Sequence, residues 1–184
     1  MKVAFLDRDG VINKEVGYLH RIEDFEYTKN CVKGLKALLD CGFELIVITN
    51  QAGIAKGLYS VNDFERLMSW MTADLVRYGI KFRDILFCPH HPDGIVQEYT
   101  AKCNFRKPLP GMFLKAKDLY GIDMKSSIVI GDKLTDIHAG KNSGIGRAFL
   151  VESGHAVTKI QNPDYEIVKN LFEVSNLLTN EIKA

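Results

Sequence analysis

Asp7 and Asp9, separated by Arg8 and followed by Gly10, are the residues of this chain best placed to do chemistry. They end the apolar run Val3-Ala4-Phe5-Leu6, which reads as a buried strand of a parallel sheet. Where strand geometry persists, carboxylates two positions apart leave the same face. Like charges that close repel unless a cation lies between them, so a divalent metal with a phosphate ester as companion is the chemistry implied. A carboxylate that attacks phosphorus forms an aspartyl phosphate and splits one hard displacement into two easier ones. A second carboxylate can protonate the leaving oxygen and later activate water. Phosphate monoesters need this help, because their hydrolysis calls for accelerations up to ~10²¹. A plain solvated turn would also be written Asp-x-Asp-Gly. The other strand ends must decide.

Phe43 to Ile48 reads as a second strand, leading into Thr49-Asn50-Gln51. Ile85-Leu86-Phe87 is a third, leading into Cys88-Pro89-His90, and Ser127 to Ile130 a fourth, ending in Gly131-Asp132-Lys133. Arg147 to Val151 is a fifth. Helices fill the intervals. Asn30 is placed to cap one with Val32, Leu35, Leu38 and Leu39 on its apolar face, stopped by Gly42. Ser60 caps another with Phe64, Leu67, Met68, Met71 and Leu75 along one stripe, stopping at Gly79. Pro110-Gly111 opens a helix to Tyr120, Thr135 or Asp136 opens one to about Ser143, and residues from about 167 to 180 form a closing helix. Strand and helix alternate throughout, which predicts an α/β fold: a Rossmann-like three-layer sandwich around a mostly parallel sheet. Residues 13–28 lack periodicity and read as a flap above the first strand end.

In such a sheet the strand ends share one edge, so Asp7, Asp9, Thr49, Asn50 and Asp132 converge. Lys107 joins them from the loop before the Pro110 helix, and Pro108 confines its backbone to extended geometry. A lysine and a hydroxyl there would neutralise charge spread over the phosphoryl oxygens.

Composition sets the outer bounds. At 184 residues, 46% hydrophobic and 26% charged, the chain suits one globular domain over 1–184. A net charge of +1 offers no electrostatic footprint for nucleic acid or an anionic membrane. The apolar runs are far too short to span a bilayer, and an N-terminus that enters a strand directly reads as no secretory signal. Four cysteines in that setting imply a reducing cytoplasm. Nothing demands association, so a monomer is expected.

The order of these motifs resembles the haloacid dehalogenase superfamily of phosphotransferases over nearly the whole chain: Asp7-Arg8-Asp9-Gly10, then Thr49, then Lys107, then Gly131-Asp132 with Asp136. The resemblance implies Asp7 as nucleophile and Asp9 as general acid and base. It implies magnesium held by the Asp7 carboxylate, the Asp9 main-chain carbonyl and Asp132, with Asp136 in support, and Thr49 and Lys107 on the transferring phosphoryl group.

Within the superfamily, Thr49-Asn50-Gln51-Ala52-Gly53-Ile54-Ala55, Cys88-Pro89-His90-His91-Pro92, Arg106-Lys107-Pro108 and Gly131-Asp132-Lys133 resemble the D-glycero-D-manno-heptose 1,7-bisphosphate 7-phosphatases. These make heptose precursors (ADP- or GDP-linked) for lipopolysaccharide or surface glycans and carry no large cap domain. That resemblance places Glu15, Val16, Gly17, Tyr18, Thr49, Asn50, Gln51 and Ala52 at a sugar phosphate substrate. Arg106 would recognise the non-reacting phosphate, with Lys133 adding a contact. The same family staples the 88–107 loop with zinc. Cys88, His90 and Cys103 stand at three of the four ligand places, but Phe105 stands at the fourth, where a ring cannot ligate. His91, Asp93, Glu98 or water could complete the shell, or Phe105 could pack inside. Histidinol-phosphate phosphatase shares these motifs, yet its amine substrate would want a carboxylate rather than Arg106. A phospho-accepting receiver would carry its acceptor aspartate on a mid-chain strand, where Thr49 and Cys88 stand instead. An inactive binding module conflicts with the presence of both Asp7 and Asp9.

Overall fold

The computed structural model describes residues 1–152 and 164–183. Among these residues six strands, β1 (Val3–Leu6), β2 (Glu44–Asn50), β3 (Asp84–Cys88), β4 (Ile128–Gly131), β5 (Arg147–Val151) and β6 (Glu166–Val168), lie in the order β3-β2-β1-β4-β5-β6. Every pairing is parallel. Six α-helices connect or flank them: α1 (Cys31–Asp40), α2 (Ala52–Ala55), α3 (Val61–Val76), α4 (Gly111–Tyr120), α5 (Leu134–Asn142) and α6 (Leu171–Lys183).

The strands alternate between two cores, as a period of two requires. Ala4, Leu6, Leu45, Val47, Ile128 and Ile130 join one core with Leu35 of α1, Leu67 of α3 and Leu171 of α6. Val3, Phe5, Ile46, Ile48 and Val129 join the other with Phe113 of α4 and Ile137 of α5. Burying each large apolar side chain stabilises by about 1.5–3 kcal/mol. Both faces are thus covered, and the three-layer expectation holds with the sheet wholly parallel.

The chain walks outward from β1 to β3, then returns to lay β4 on the other side of β1. Strand order reverses between β1 and β4, the place where open α/β sheets bind ligands. Asp7 follows β1 and Asp132 follows β4.

Three local expectations need correction. Asn30 stands at the N-cap of α1, but its φ of 59° is left-handed and its side chain makes no capping hydrogen bond. Asn tolerates that conformation, and here it serves the turn. Strand β2 runs on through Thr49 and Asn50, because these pair with Phe87 and Cys88 of the edge strand. The closing helix begins at Leu171, and β6 precedes it, with Asn170 Oδ1 accepting from Glu173 N–H at 3.1 Å to cap the helix. Ser60 caps α3 as expected, in a reciprocal pair with Asp63.

Candidate active site

Asp7 extends β1 by donating its N–H to the Ile130 carbonyl at 3.0 Å. Its carboxylate lies with those of Asp132 and Asp136 in a buried cluster whose ligand oxygens are within 4.8 Å of one another. Lys107 Nζ reaches into it, 2.9 Å from Asp7 Oδ1 and 2.6 Å from Asp136 Oδ1, and donates to the Ile48 carbonyl at 2.9 Å. Burial opposes the ammonium, but the carboxylates of Asp136 and Asp7 outweigh it and hold Lys107 above the usual lysine range. Burial pushes Asp7 up to about 6 against the pull of Lys107, with Asp136 and Asp9 adding to the rise. Asp132 is pushed up to about 8 by burial and by the Asp7 carboxylate. Both Asp132 side-chain oxygens lack a hydrogen-bond partner. Two unpartnered Asp132 oxygens beside the buried carboxylates of Asp7 and Asp136 are what a hard divalent cation satisfies, so the residues fit magnesium. Asp136 also anchors the start of α5, where its Oδ2 accepts from Lys133 N–H at 3.0 Å.

Asp9 stands apart from this cluster. Strand geometry ends at Leu6, and the Asp9 carboxylate turns to Arg8, whose Nη2 lies 2.8 Å from both oxygens. Arg8 is wholly buried, also donating to the Leu19 carbonyl at 3.0 Å and lying 5.6 Å from the Phe64 ring centroid. Asn13 Nδ2 adds a donor at 2.9 Å to Asp9 Oδ1. The Asp9 carboxylate is thus neutralised by Arg8 and lies outside the acid cluster, while Asp7 and Asp9 both line one cleft.

At the end of β2, Thr49 is buried and its Oγ1 accepts from Gln51 Nε2 at 2.8 Å. Asn50 holds the peptide of Lys107: Nδ2 donates to the Lys107 carbonyl and Oδ1 accepts from Lys107 N–H, both at 3.1 Å. The Lys107-Pro108 bond is cis.

A cleft of about 530 Å³ opens above, lined by Asp7, Asp9, Glu15, Gly17, Tyr18, Asn50, Gln51, Ala52, Tyr59, Arg106, Lys107, Lys133, Thr135 and Asp136. The flap is rooted by an Asn13–Tyr27 bridge and pinned at two points. Glu15 Oε2 lies 3.1 Å from Lys133 Nζ, and Lys56 Nζ donates to Tyr18 Oη at 2.7 Å. Val16 is exposed and does not line the cleft, while Thr49 and Asp132 lie beneath its lining. Tyr59 and Thr135 are lining residues that sequence reasoning missed. Thr135 was visible only as a helix start, and Tyr59 only as the neighbour of a capping serine.

Arg106 Nη1 donates to the His90 carbonyl at 3.3 Å, linking the cleft to the 88–107 loop. There Cys88, His90 and Cys103 present ligand atoms within 4.8 Å of one another. Among the described residues no further His, Cys, Asp or Glu joins them. His91 Nδ1 instead accepts from Asp93 N–H at 3.1 Å. Phe105 does not pack inside as an alternative staple. It is 38% exposed, with Lys115 Nζ 5.7 Å from its ring centroid.

The HAD-hydrolase-like family model matches residues 104–174. The chain is 54% identical over 178 residues to D-glycero-alpha-D-manno-heptose-1,7-bisphosphate 7-phosphatase of Photorhabdus laumondii, covering 97% of each. It is 43% identical over 154 residues to the D-glycero-beta-D-manno-heptose-1,7-bisphosphate 7-phosphatase of Escherichia coli K12, covering 84% of this chain and 81% of that one. The crystal structure of D,D-heptose 1,7-bisphosphate phosphatase from B. bronchiseptica, complexed with magnesium and phosphate, superposes with a TM-score of 0.84 at 26% identity, covering 98% and 99% of the two chains. The acid cluster after β1 and β4, its buried lysine and these similarities agree: the chain belongs to the heptose-1,7-bisphosphate 7-phosphatase family of the haloacid dehalogenase superfamily.

Proposed function

We propose that this protein removes the 7-phosphate of D-glycero-D-manno-heptose 1,7-bisphosphate through an aspartyl-phosphate intermediate. One observation carries the substrate: the cleft that holds Asp7 is also lined by Arg106 and Lys133, two cations beyond the Lys107 used at the reacting group. A second phosphate on the same molecule accounts for them.

In the first step an Asp7 carboxylate oxygen bonds to phosphorus as the bond to the sugar oxygen breaks, and Asp9 gives that oxygen its proton. In the second, the Asp9 carboxylate takes a proton from water, the water oxygen attacks phosphorus, and Asp7 is released. Lys107 and the Thr49 hydroxyl balance the phosphoryl charge. Magnesium, held by Asp7, Asp132 and the Asp9 main-chain carbonyl with Asp136 in support, would screen nucleophile from phosphate. Glu15, Gly17, Tyr18, Gln51 and Ala52 line the same cleft, which supports their contact with the sugar.

The 54% identical relative is named for the α anomer and the Escherichia coli relative for the β, so we take α as preferred here. The same reading makes the product a heptose precursor for surface glycans, and the protein a cytoplasmic monomer. Four free thiols support a reducing compartment, and among the described residues no helix is long and apolar enough to cross a membrane. The Cys88–His90–Cys103 triad supports zinc as a loop staple with three protein ligands.

The test compares turnover of both anomers and of histidinol phosphate, with Asp7→Asn as the blank. Release of the 7-phosphate alone, faster from the α anomer, is expected. Comparable kcat/KM on histidinol phosphate would overturn the substrate assignment.

A further inference from the structure

We propose that Tyr59 is a positioning residue for the proton shuttle Asp9, acting through the Gln51 amide; the inference rests on the reading of Asp9 as general acid and base. Gln51 Nε2 lies 3.2 Å from Asp9 Oδ2 and 2.8 Å from Thr49 Oγ1. An ionised carboxylate only accepts, so the Gln51 atom facing Asp9 is the nitrogen, and both its hydrogens are committed. The amide oxygen then faces the other way, where the Tyr59 hydroxyl donates to it at 2.5 Å. Gln51 and Tyr59 are 2% and 8% exposed, so water has little access to replace that donor.

The carboxamide torsion is broad and two-fold, and packing alone does not choose between its two orientations. Turned over, Gln51 would aim its oxygen at the Asp9 carboxylate. The Tyr59 hydroxyl selects the productive orientation. Tyr59 is itself held on two sides. A Cβ at Gly53 would sit 2.1 Å from its ring, and the His20 ring stacks at 5.0 Å and 9°. Gly53 is what lets the ring come so close.

Asp9 Oδ1 already takes Arg8 Nε at 3.2 Å, Arg8 Nη2 at 2.8 Å and Asn13 Nδ2 at 2.9 Å. Oδ2 takes only Arg8 Nη2 at 2.8 Å and Gln51. Oδ2 carries one donor fewer and its Gln51 contact is the long one at 3.2 Å, so Oδ2 is the oxygen assigned to the travelling proton and Gln51 the group that aims it.

The test is a series of phosphate monoesters, from p-nitrophenyl phosphate, whose leaving group needs no proton, to simple alkyl phosphates, which do. Tyr59→Phe keeps the ring between Gly53 and His20 and removes only the donor. Its kcat on alkyl phosphates is expected to fall roughly tenfold with KM within about twofold, while kcat on p-nitrophenyl phosphate stays within about twofold. Gln51→Leu should lose at least as much on alkyl phosphates, and the double variant should be no worse than Gln51→Leu. Equal losses across the series in Tyr59→Phe, or none, or a double variant clearly worse than Gln51→Leu, would overturn the proposal. The series contains no heptose, so a wild type that hydrolyses it but ignores heptose bisphosphate defeats the substrate reading and not this one.

Discussion

The side-chain amide of Asn50 and the main chain of Lys107 exchange two hydrogen bonds of 3.1 Å across 57 positions of sequence. Lys107 is thus fixed to the end of β2 by its peptide as well as by its charge. Asn50 was expected at the substrate. It lines the cleft and also holds Lys107 through one Nδ2 hydrogen and one Oδ1 lone pair.

Asn50→Leu should therefore leave two main-chain groups of Lys107 without partners. Each unsatisfied buried polar group costs about 1–3 kcal/mol of stability, and the shift this allows in Lys107 is expected to lower kcat roughly ten- to hundredfold. Steady-state kinetics with saturating magnesium checks this, and an unchanged kcat would show that Lys107 is held by its side chain alone.

Gly10 has φ +81°, and a Cβ there would lie 2.3 Å from Asp132 Oδ2. Gly10→Ala is expected to displace that carboxylate and raise the magnesium concentration for half-maximal activity, while the fold away from the site persists. A magnesium titration followed by activity, alongside circular dichroism, separates the two effects.

The metal-free protein should lose stability as pH rises. Asp132 near 8 and Asp7 near 6 both stand above the ordinary 3.8. Between those limits the folded state holds protons that the unfolded state has released, so this contribution is complete below about 4 and gone above about 8. Melting temperatures in chelator should fall from pH 5 to pH 8 with a smaller slope in Asp132→Asn, and magnesium should flatten the profile.

Much of this site was legible because each reacting group ends an apolar run. Asp7 after Val3–Leu6, Thr49 after Leu45–Ile48 and Asp132 after Ile128–Ile130 are marked by the abrupt change from buried strand to polar residue. Contacts between loops are not written that way. Nothing near Asn50 names Lys107, because that pair is 57 positions apart and forms only when the sheet is assembled, and the Tyr59–Gln51 pair, though eight positions apart, depends on the turn made by α2 rather than on any periodic pattern. The pairing of Asp9 with Arg8 was not legible because strand geometry ends at Leu6, and β6 was missed because three residues carry too little periodicity to stand out from the helix that follows.

Zinc on the Cys88–His90–Cys103 triad, as proposed, should be held more weakly than at a four-ligand site. One zinc per chain is expected after mild purification, lost in Cys103→Ser. Stripping it with chelator and restoring magnesium should raise KM, through Arg106 and its bond to the His90 carbonyl, more than it lowers kcat. Metal analysis paired with kinetics reads both, and a zinc-free protein of full activity would contradict it.

The central claim is that Asp7 carries the phosphoryl group. Acid quench of a single turnover, followed by peptide mass spectrometry, tests it most directly. One phosphoryl group is expected on the peptide containing Asp7, and none in Asp7→Asn. A phosphoryl group on another residue, or undiminished hydrolysis by Asp7→Asn, would contradict it.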